Sequence, residues 1–87
     1  MPARRHPRPD WIRQEQVTLG TRIAARRRDL GLSQDQLADL MGVERRTVQR
    51  YERAVTDPRY ADLLLIARAL DVHPADLLPP RDDSPGQ

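Results

Sequence analysis

Apolar residues recur every three to four positions through the middle of the chain, the spacing of one face of an α-helix. The period-two alternation that marks a half-buried strand is missing, and so are clusters of β-branched or aromatic residues. The first apolar stripe consists of Leu19, Ile23 and Leu30, and Gly31 directly after it suits the left-handed position that ends a helix. The pattern predicts an all-α domain.

The start of this first helix has two alternatives. Asp10 can cap a long helix that carries Trp11 and Ile12, whereas Thr18 can cap a shorter one. Gly20 lowers helix propensity and favours the shorter helix with a looser extension before it. We therefore expect a domain over residues 18–78, with residues 10–17 as its optional helical extension.

A second and a third helix follow at short spacing. Ser33 and Gln36 form a capping box that opens the second helix, and Gly42 ends it. The third helix turns Val48 and Tyr51 inward. Only residues 42–44 separate the two helices, so they must cross at a steep angle.

Two more helices complete the predicted domain. Pro58 interrupts the chain, and a fourth apolar stripe follows it before His73 and Pro74 open a short fifth helix that ends near Leu78. Residues 1–13 are rich in Pro and Arg and are expected to form a disordered basic arm, and residues 79–87 a disordered tail. The residues of the fourth stripe are Leu63, Ile66, Ala67 and Leu70.

Composition excludes several classes of protein. The 87 residues include no cysteine, which rules out disulfides and the zinc and redox motifs built on cysteine. The longest apolar run, Leu63–Ala67, is far shorter than the roughly 20 residues of a membrane span, so we expect a cytoplasmic protein with no membrane contact. His6 lies in the arm and His73 at a predicted helix cap, so the two histidines do not indicate a shared metal site. No nucleophile and base occur at a spacing typical of a catalytic site. An enzyme, a metal site and a cofactor are therefore not expected.

Charge is distributed unevenly. Residues 1–13 carry a net charge of +3, residues 14–80 are balanced and residues 81–87 carry −1, which gives the total of +2. All 15 basic residues are arginine. Arginine suits bidentate recognition of phosphate and guanine, although a GC-rich genome produces the same bias.

The outward face of the third helix carries the clearest functional signal. Its cationic residues lie opposite Val48 and Tyr51, and Glu44 and Glu52 lie off the stripe. Arginine pairs with guanine and glutamine with adenine in the DNA major groove. The stripe consists of Arg45, Arg46, Gln49, Arg50 and Arg53.

Two opposite charges fall on apolar faces. Arg27 follows Ile23 by four residues on the first helix, and Glu52 follows Val48 by four on the third. Either charge alone would be buried at a cost of several kcal/mol. We therefore predict an ion pair between Arg27 and Glu52.

The sequence resembles the phage repressor and Cro type of helix-turn-helix, also called the xenobiotic-response-element family. The resemblance covers residues 18–78 and rests on the spacing of several short motifs. It implies a five-helix, lambda-repressor-like domain whose helices 2 and 3 bind DNA. The motifs are Leu32-Ser33-Gln34, Leu37-Ala38, Gly42-Val43, Val48, Tyr51-Glu52, Pro58, Ala69-Leu70-Asp71-Val72 and Leu77-Leu78.

The resemblance also implies site residues. It assigns base contacts to Arg45, Arg46 and Arg50, to which the pattern of the stripe adds Gln49. It assigns phosphate contacts to Gln34, Arg22 and Arg53, and it supports the pair of Arg27 with Glu52.

The chain departs from the family pattern at three positions. Ala54 and Asp71 stand where the family usually has glycine, and Arg59 replaces the usual cap of helix 4. Because alanine adopts a left-handed conformation poorly, we expect the loop 54–57 to follow a path of its own. Glu44 is a poor cap for the third helix.

These observations together predict a sequence-specific transcriptional regulator of double-stranded DNA. One recognition helix reads only a few base pairs, so a homodimer on an inverted repeat is expected. The alternative is a protein-interaction module, such as an autoregulatory antitoxin that binds a toxin or a bridging adaptor, with its partner on the acidic segment 57–76. The surface expected for dimerisation comprises Val72, Leu77 and Leu78, or Trp11 and Ile12.

Overall fold

The computed structural model describes residues 8–78, and within that range it is built of α-helices connected by short loops without strands. The all-α prediction and the number and order of the helices are confirmed over this range. The expectations for the rest of the arm and for the tail concern residues 1–7 and 79–87, which lie outside the described residues. The helices are α1 (Asp10–Asp29), α2 (Gln34–Met41), α3 (Arg45–Glu52), α4 (Tyr60–Ala69) and α5 (Pro74–Leu77).

Helix α1 is longer than the short alternative. It begins at Asp10, so residues 10–17 form the helical extension that the longer alternative predicts, and residues 10–13 do not belong to the arm. Gly20, which favoured the shorter alternative, is buried where α1 crosses α3. A Cβ atom on Gly20 would lie 2.5 Å from the carbonyl oxygen of Glu52 and 2.7 Å from that of Tyr51. Glycine is present here for close packing and does not mark a loosened helix.

The apolar core lies where the helices meet. Buried residues of all five helices contribute to it, together with Leu70 at the end of α4. Leu77 is only 1% exposed, so it belongs to the core and cannot form part of the predicted dimer surface. The largest fully buried side chains are Ile23, Leu37, Ile66, Leu70, Leu77 and Val48.

Helix caps form where the sequence predicts them for α2 and α5. Ser33 Oγ accepts from the Gln36 backbone N–H at 3.0 Å, and Gln36 Oε1 accepts from the Ser33 N–H at 2.7 Å. His73 Nδ1 accepts from the Ala75 N–H, and Asp76 Oδ2 accepts from the His73 N–H, both at 3.1 Å. These bonds satisfy amide groups that a helix start otherwise leaves without partners.

The loop after α3 corrects one expectation. Ala54 adopts the left-handed conformation with φ of 58°, although it has a Cβ atom, and it is buried. Asp71 does the same with φ of 55° after α4, where its short polar side chain is better tolerated. The loop 54–57 therefore keeps the backbone turn that glycine would favour.

Arginines of α1 donate to carbonyl groups that follow two other helices, α3 and α4. Arg26 Nε donates to the Leu70 carbonyl after α4, at 2.9 Å, and Arg13 Nη1 donates to the Ala54 carbonyl after α3. Positive charge is favourable at a helix C-terminus, where carbonyls lack intrahelical partners. Helix α1 therefore holds the other helices together by polar as well as apolar contacts. Among the helices of residues 8–78, none combines the length and apolar character needed to cross a membrane.

Candidate DNA interface

Helices α2 and α3 form a two-helix unit around a tight turn. Gly42 ends α2 with φ of 74°, and α3 begins three residues later at Arg45. Val48 is 1% exposed and Tyr51 is 7% exposed, which fixes the inward face of α3. The opposite face of the helix therefore points away from the core.

The predicted cationic stripe lies on that outward face. Arg45, Arg46 and Arg50 are exposed, Gln49 is half-buried, and Arg53 is exposed at the C-terminal cap. This geometry presents guanidinium groups along about two turns of a helix. Glu44, at the N-cap, is exposed and makes no capping hydrogen bond with its side chain.

Two arginines of the stripe have protein partners. The Nε atom of Arg50 donates to the hydroxyl Oγ1 of Thr56 at 3.1 Å. The Nε atom of Arg45 lies 4.0 Å from Asp35 Oδ1 on α2, and both side chains are more than half exposed. An exposed ion pair at that separation contributes little to stability, so Arg45 is free to exchange its partner.

The predicted ion pair is present between α1 and α3. Arg27 Nε lies 2.6 Å from Glu52 Oε2, and Arg27 Nη2 lies 3.0 Å from Glu52 Oε1. Arg27 Nη1 also donates to the Leu32 carbonyl at 2.9 Å. The hydrogen bond to Glu52 raises the pKa of Arg27, so the guanidinium stays charged. Both side chains are nearly buried, which makes this pair a structural connection and not a surface for DNA.

Gln34 connects this buried pair to the surface. Its Nε2 atom donates to Glu52 Oε1 at 3.0 Å, which leaves one of its two amide N–H groups for another acceptor. Gln34 lies in a shallow polar groove flanked by Arg28 and Arg53. Arg28 belongs to α1 and Gln34 to α2, so only the folded chain brings the two residues together.

Arg22 has a different partner from the predicted one. Its Nη1 atom donates to the carbonyl of Leu78 at 2.9 Å and approaches that of Asp76 at 3.4 Å. These contacts bind one terminal nitrogen of Arg22 to the end of α5, and its phosphate contact stays a prediction. No local pattern predicts these contacts, because the acceptors lie more than 50 residues away in the chain.

Tyr51 completes the inward face of α3. Its hydroxyl donates to Asp62 Oδ2 on α4 at 2.9 Å. Burial and this hydrogen bond raise the pKa of Tyr51 to about 12. The hydroxyl is therefore neutral at physiological pH, and α3 is held to α4 as well as to α1.

Comparison with known proteins identifies the family. The sequence profile of the Helix-turn-helix family matches residues 23–77, more than half of the chain. This chain belongs to the helix-turn-helix family of the phage-repressor type. The resemblance stated from the motifs is thereby confirmed, and the five-helix fold is that of its solved relatives.

Two members of the helix-turn-helix family show how far the similarity extends. Repressor protein C2 of Salmonella phage P22 is 37% identical over 60 residues, which are 69% of this chain and 28% of that protein. The crystal structure of the P22 c2 repressor with a synthetic operator has a TM-score of 0.66 at 37% identity, and covers 69% of this chain and 91% of that one. The restriction-modification controller protein C.AhdI from Aeromonas hydrophila has a TM-score of 0.71 at 36% identity, with 74% and 97% covered. This chain spans only 28% to 50% of the length of the curated relatives that it matches.

Proposed function

We propose that this protein is a sequence-specific DNA-binding transcriptional regulator. The observation that carries the proposal is the outward face of α3, where exposed arginines and a glutamine follow a tight turn from α2. Such a helix fits the major groove, where the base edges differ in their hydrogen-bonding pattern. Regulation by binding to DNA places the protein with the chromosome, in the cytoplasm.

The relatives support the same proposal. One of them is named a repressor, and its structure was determined with a synthetic operator. Another is a controller of a restriction-modification system. A protein-interaction module as the main function is not favoured. The relatives are named a repressor, a controller and a transcriptional regulator, which are names of proteins that act on DNA.

Two groups of residues have different roles in this proposal. The outward residues of α3 contact base edges and therefore determine which sequence is bound. The groove residues bind phosphate, which strengthens binding to every sequence. The first group is Arg45, Arg46, Gln49 and Arg50, and the second is Gln34, Arg28 and Arg53.

A selection from random duplex DNA tests the proposal. We expect wild-type protein to enrich one sequence. In Arg46→Ala, the difference in binding free energy between a duplex of that sequence and a random duplex should fall by about 1–3 kcal/mol. Gln34→Ala should weaken binding to both duplexes equally. Arg68→Ala removes an exposed arginine of α4 and serves as the control with the same change in charge. No enriched sequence, or equal losses in all three variants, would contradict the proposal.

A second part of the proposal is that two copies bind together. With Leu77 in the core, α4 offers an exposed group of apolar side chains, in which Tyr60 is 74%, Leu64 41% and Leu65 42% exposed. We propose that this face joins two copies about a two-fold axis, which matches an inverted repeat. Sedimentation of the complex with the selected duplex should give two protomers per site for wild type and one for Leu64→Asp with Leu65→Asp. One protomer per site for wild type would contradict the dimer.

A further inference from the structure

Arg50 is fixed by the loop that follows its own helix. Its Nε atom donates to Thr56 Oγ1 at 3.1 Å, and its carbonyl accepts from the N–H of Val55 at 2.9 Å. The bond at Nε restricts the long side chain and leaves the two terminal nitrogens at the end of a planar fork. Thr56 therefore sets the direction in which Arg50 presents its fork.

The same loop is held from the other side by the first half of α1. Arg13 Nη1 donates to the Ala54 carbonyl, and Gln16 Nε2 donates to Asp57 Oδ2 at 2.9 Å. Ile12 and Leu19 form an apolar groove together with Pro58 next to these bonds. All these α1 residues lie before residue 23, where the match to the helix-turn-helix family begins.

The loop needs such support because its backbone is strained. Ala54 has φ of 58°, a conformation that costs an L-residue roughly 1–2 kcal/mol relative to its ordinary regions. The contacts from α1 offset part of this cost at the strained carbonyl itself and at the residue three positions later. Without these contacts, the loop would sample more conformations, and the hydrogen bond between Arg50 and Thr56 would be broken for more of the time.

We propose that Thr56 is a positioning residue for Arg50, and that the first half of α1 maintains the loop in which Thr56 acts. The proposal rests on the proposed function, because it requires Arg50 to contact a base. Because Arg50 is already restricted before it binds, ordering its side chain at the base edge costs less free energy. Thr56 and α1 do not contact the base themselves, yet they determine how well it is read.

Substitution of Thr56 tests the first step. We use the duplex selected by wild-type protein and a random duplex of equal length. Thr56→Val keeps the shape and removes the acceptor, and should lower the preference for the selected duplex about three- to tenfold, the factor for fixing one long side chain. Thr56→Ser keeps the hydroxyl and should retain the preference. Thermal unfolding should be similar for all three proteins, since the bond is exposed.

The Arg50→Ala background separates the two proposals. If Arg50→Ala removes the preference, Thr56→Val should add nothing in that background, because the group it positions is gone. An unchanged preference in Thr56→Val alone, with Arg50→Ala still harmful, would overturn the positioning role only. An unchanged preference in Arg50→Ala would overturn the role of Arg50 at a base and the positioning role with it.

Substitution in α1 tests the second step. Arg13→Ala with Gln16→Ala should lower the preference in the same direction as Thr56→Val, and the combined effect should be less than the product of the two. Gln14→Ala changes an exposed residue on the same half of α1 and is the control. A full preference in the Arg13 and Gln16 variant would overturn the role of α1. If the combined effect equals the product, α1 and Thr56 act independently and the proposed connection is wrong.

Discussion

The two faces of α3 hold charge in opposite ways. On the inward side, Arg27 and Glu52 are 2.6 Å apart, with side chains only 10% and 5% exposed. On the outward side, Arg45 and Asp35 are 4.0 Å apart, with side chains 57% and 68% exposed. Both are arginine–carboxylate pairs involving α3. Only the first is built into the protein, because only there is water unavailable to replace either partner.

The difference shows how a short, highly charged helix serves two purposes. The inward charges fix the position of α3 against α1, and Tyr51 fixes it against α4 through Asp62. The outward charges stay accessible, so that DNA can replace their weak protein partners. Changes on the inward face should therefore alter stability, and changes on the outward face should alter binding.

The largest effect is expected from breaking the inward pair. Arg27→Met leaves the buried Glu52 carboxylate with the amide of Gln34 as its remaining side-chain donor, which should cost about 3–5 kcal/mol of unfolding free energy. Adding Glu52→Leu removes the stranded charge and should restore part of the loss. Denaturant unfolding measures Arg27→Met, Glu52→Leu and the double variant, with Arg68→Met as an exposed control. Purely additive losses would mean that the two residues do not interact.

A methyl group between α1 and α3 should have the next largest effect. Gly20→Ala places a Cβ against the backbone oxygens of Glu52 and Tyr51, which cannot rotate away, so α3 must shift. We expect a loss of about 1–3 kcal/mol, as for other overpacked sites, despite the better helix propensity of alanine. Thr21→Ala, at the neighbouring exposed position, should be neutral or slightly stabilising in the same thermal unfolding assay. A more stable Gly20→Ala variant would show that the helices are not in close contact.

Alkaline pH should weaken the inward face by up to about 3 kcal/mol, because burial and the hydrogen bond to Asp62 make the phenolate of Tyr51 harder to form in the folded chain. The pKa of Tyr51 is about 12 in the folded chain and about 10 when unfolded, so its contribution is complete below pH 10 and is lost as the pH rises toward 12. Urea unfolding between pH 9 and 12 should show this loss in wild type and in Tyr60→Phe. It should be absent in Tyr51→Phe, which starts less stable at neutral pH. A similar slope in Tyr51→Phe would assign the pH dependence to another group.

The smallest effect is expected from the outward pair. Asp35→Asn frees Arg45 and removes a negative charge from the DNA side, so binding to selected and random duplexes should tighten about two- to fivefold at low salt. Stability should change by less than about 0.5 kcal/mol. Asp39→Asn makes the same change in charge one turn further along α2 and is the control. An equal gain in the control would assign the effect to net charge and not to the pair with Arg45.

Local patterns predicted most of the fold. The bounds of α2 follow from signals that lie close together in the chain. These are the capping box of Ser33 and Gln36, the apolar spacing and the glycine stop at Gly42, and the structure agrees with all of them. The pair of Arg27 and Glu52 was predictable because a charge on an apolar face needs a partner. These inferences use neighbours along one helix or the rule that buried charge must be compensated.

Long-range contacts account for what the sequence did not predict. Gly20 indicates a weak helix until the backbone of α3 is placed against it, and no pattern near Arg22 indicates its contact with the end of α5. Ala54 keeps a left-handed turn, and its carbonyl accepts from Arg13, which lies 41 residues earlier in the chain. Pattern reading also does not distinguish an apolar residue of the core from one on a dimer surface, which is why Leu77 was misplaced.

The arginines of α1 also determine when the protein can finish folding. Arg13, Arg26 and Arg22 have acceptors that lie 41, 44 and 56 residues further along the chain. Synthesis proceeds from the N-terminus, so α1 is made before any of these acceptors. A nascent chain that ends before Leu78 lacks the last of them, and its first helix is then still open to proteases. We expect the domain to become protease-resistant in one late step, once α5 has been made.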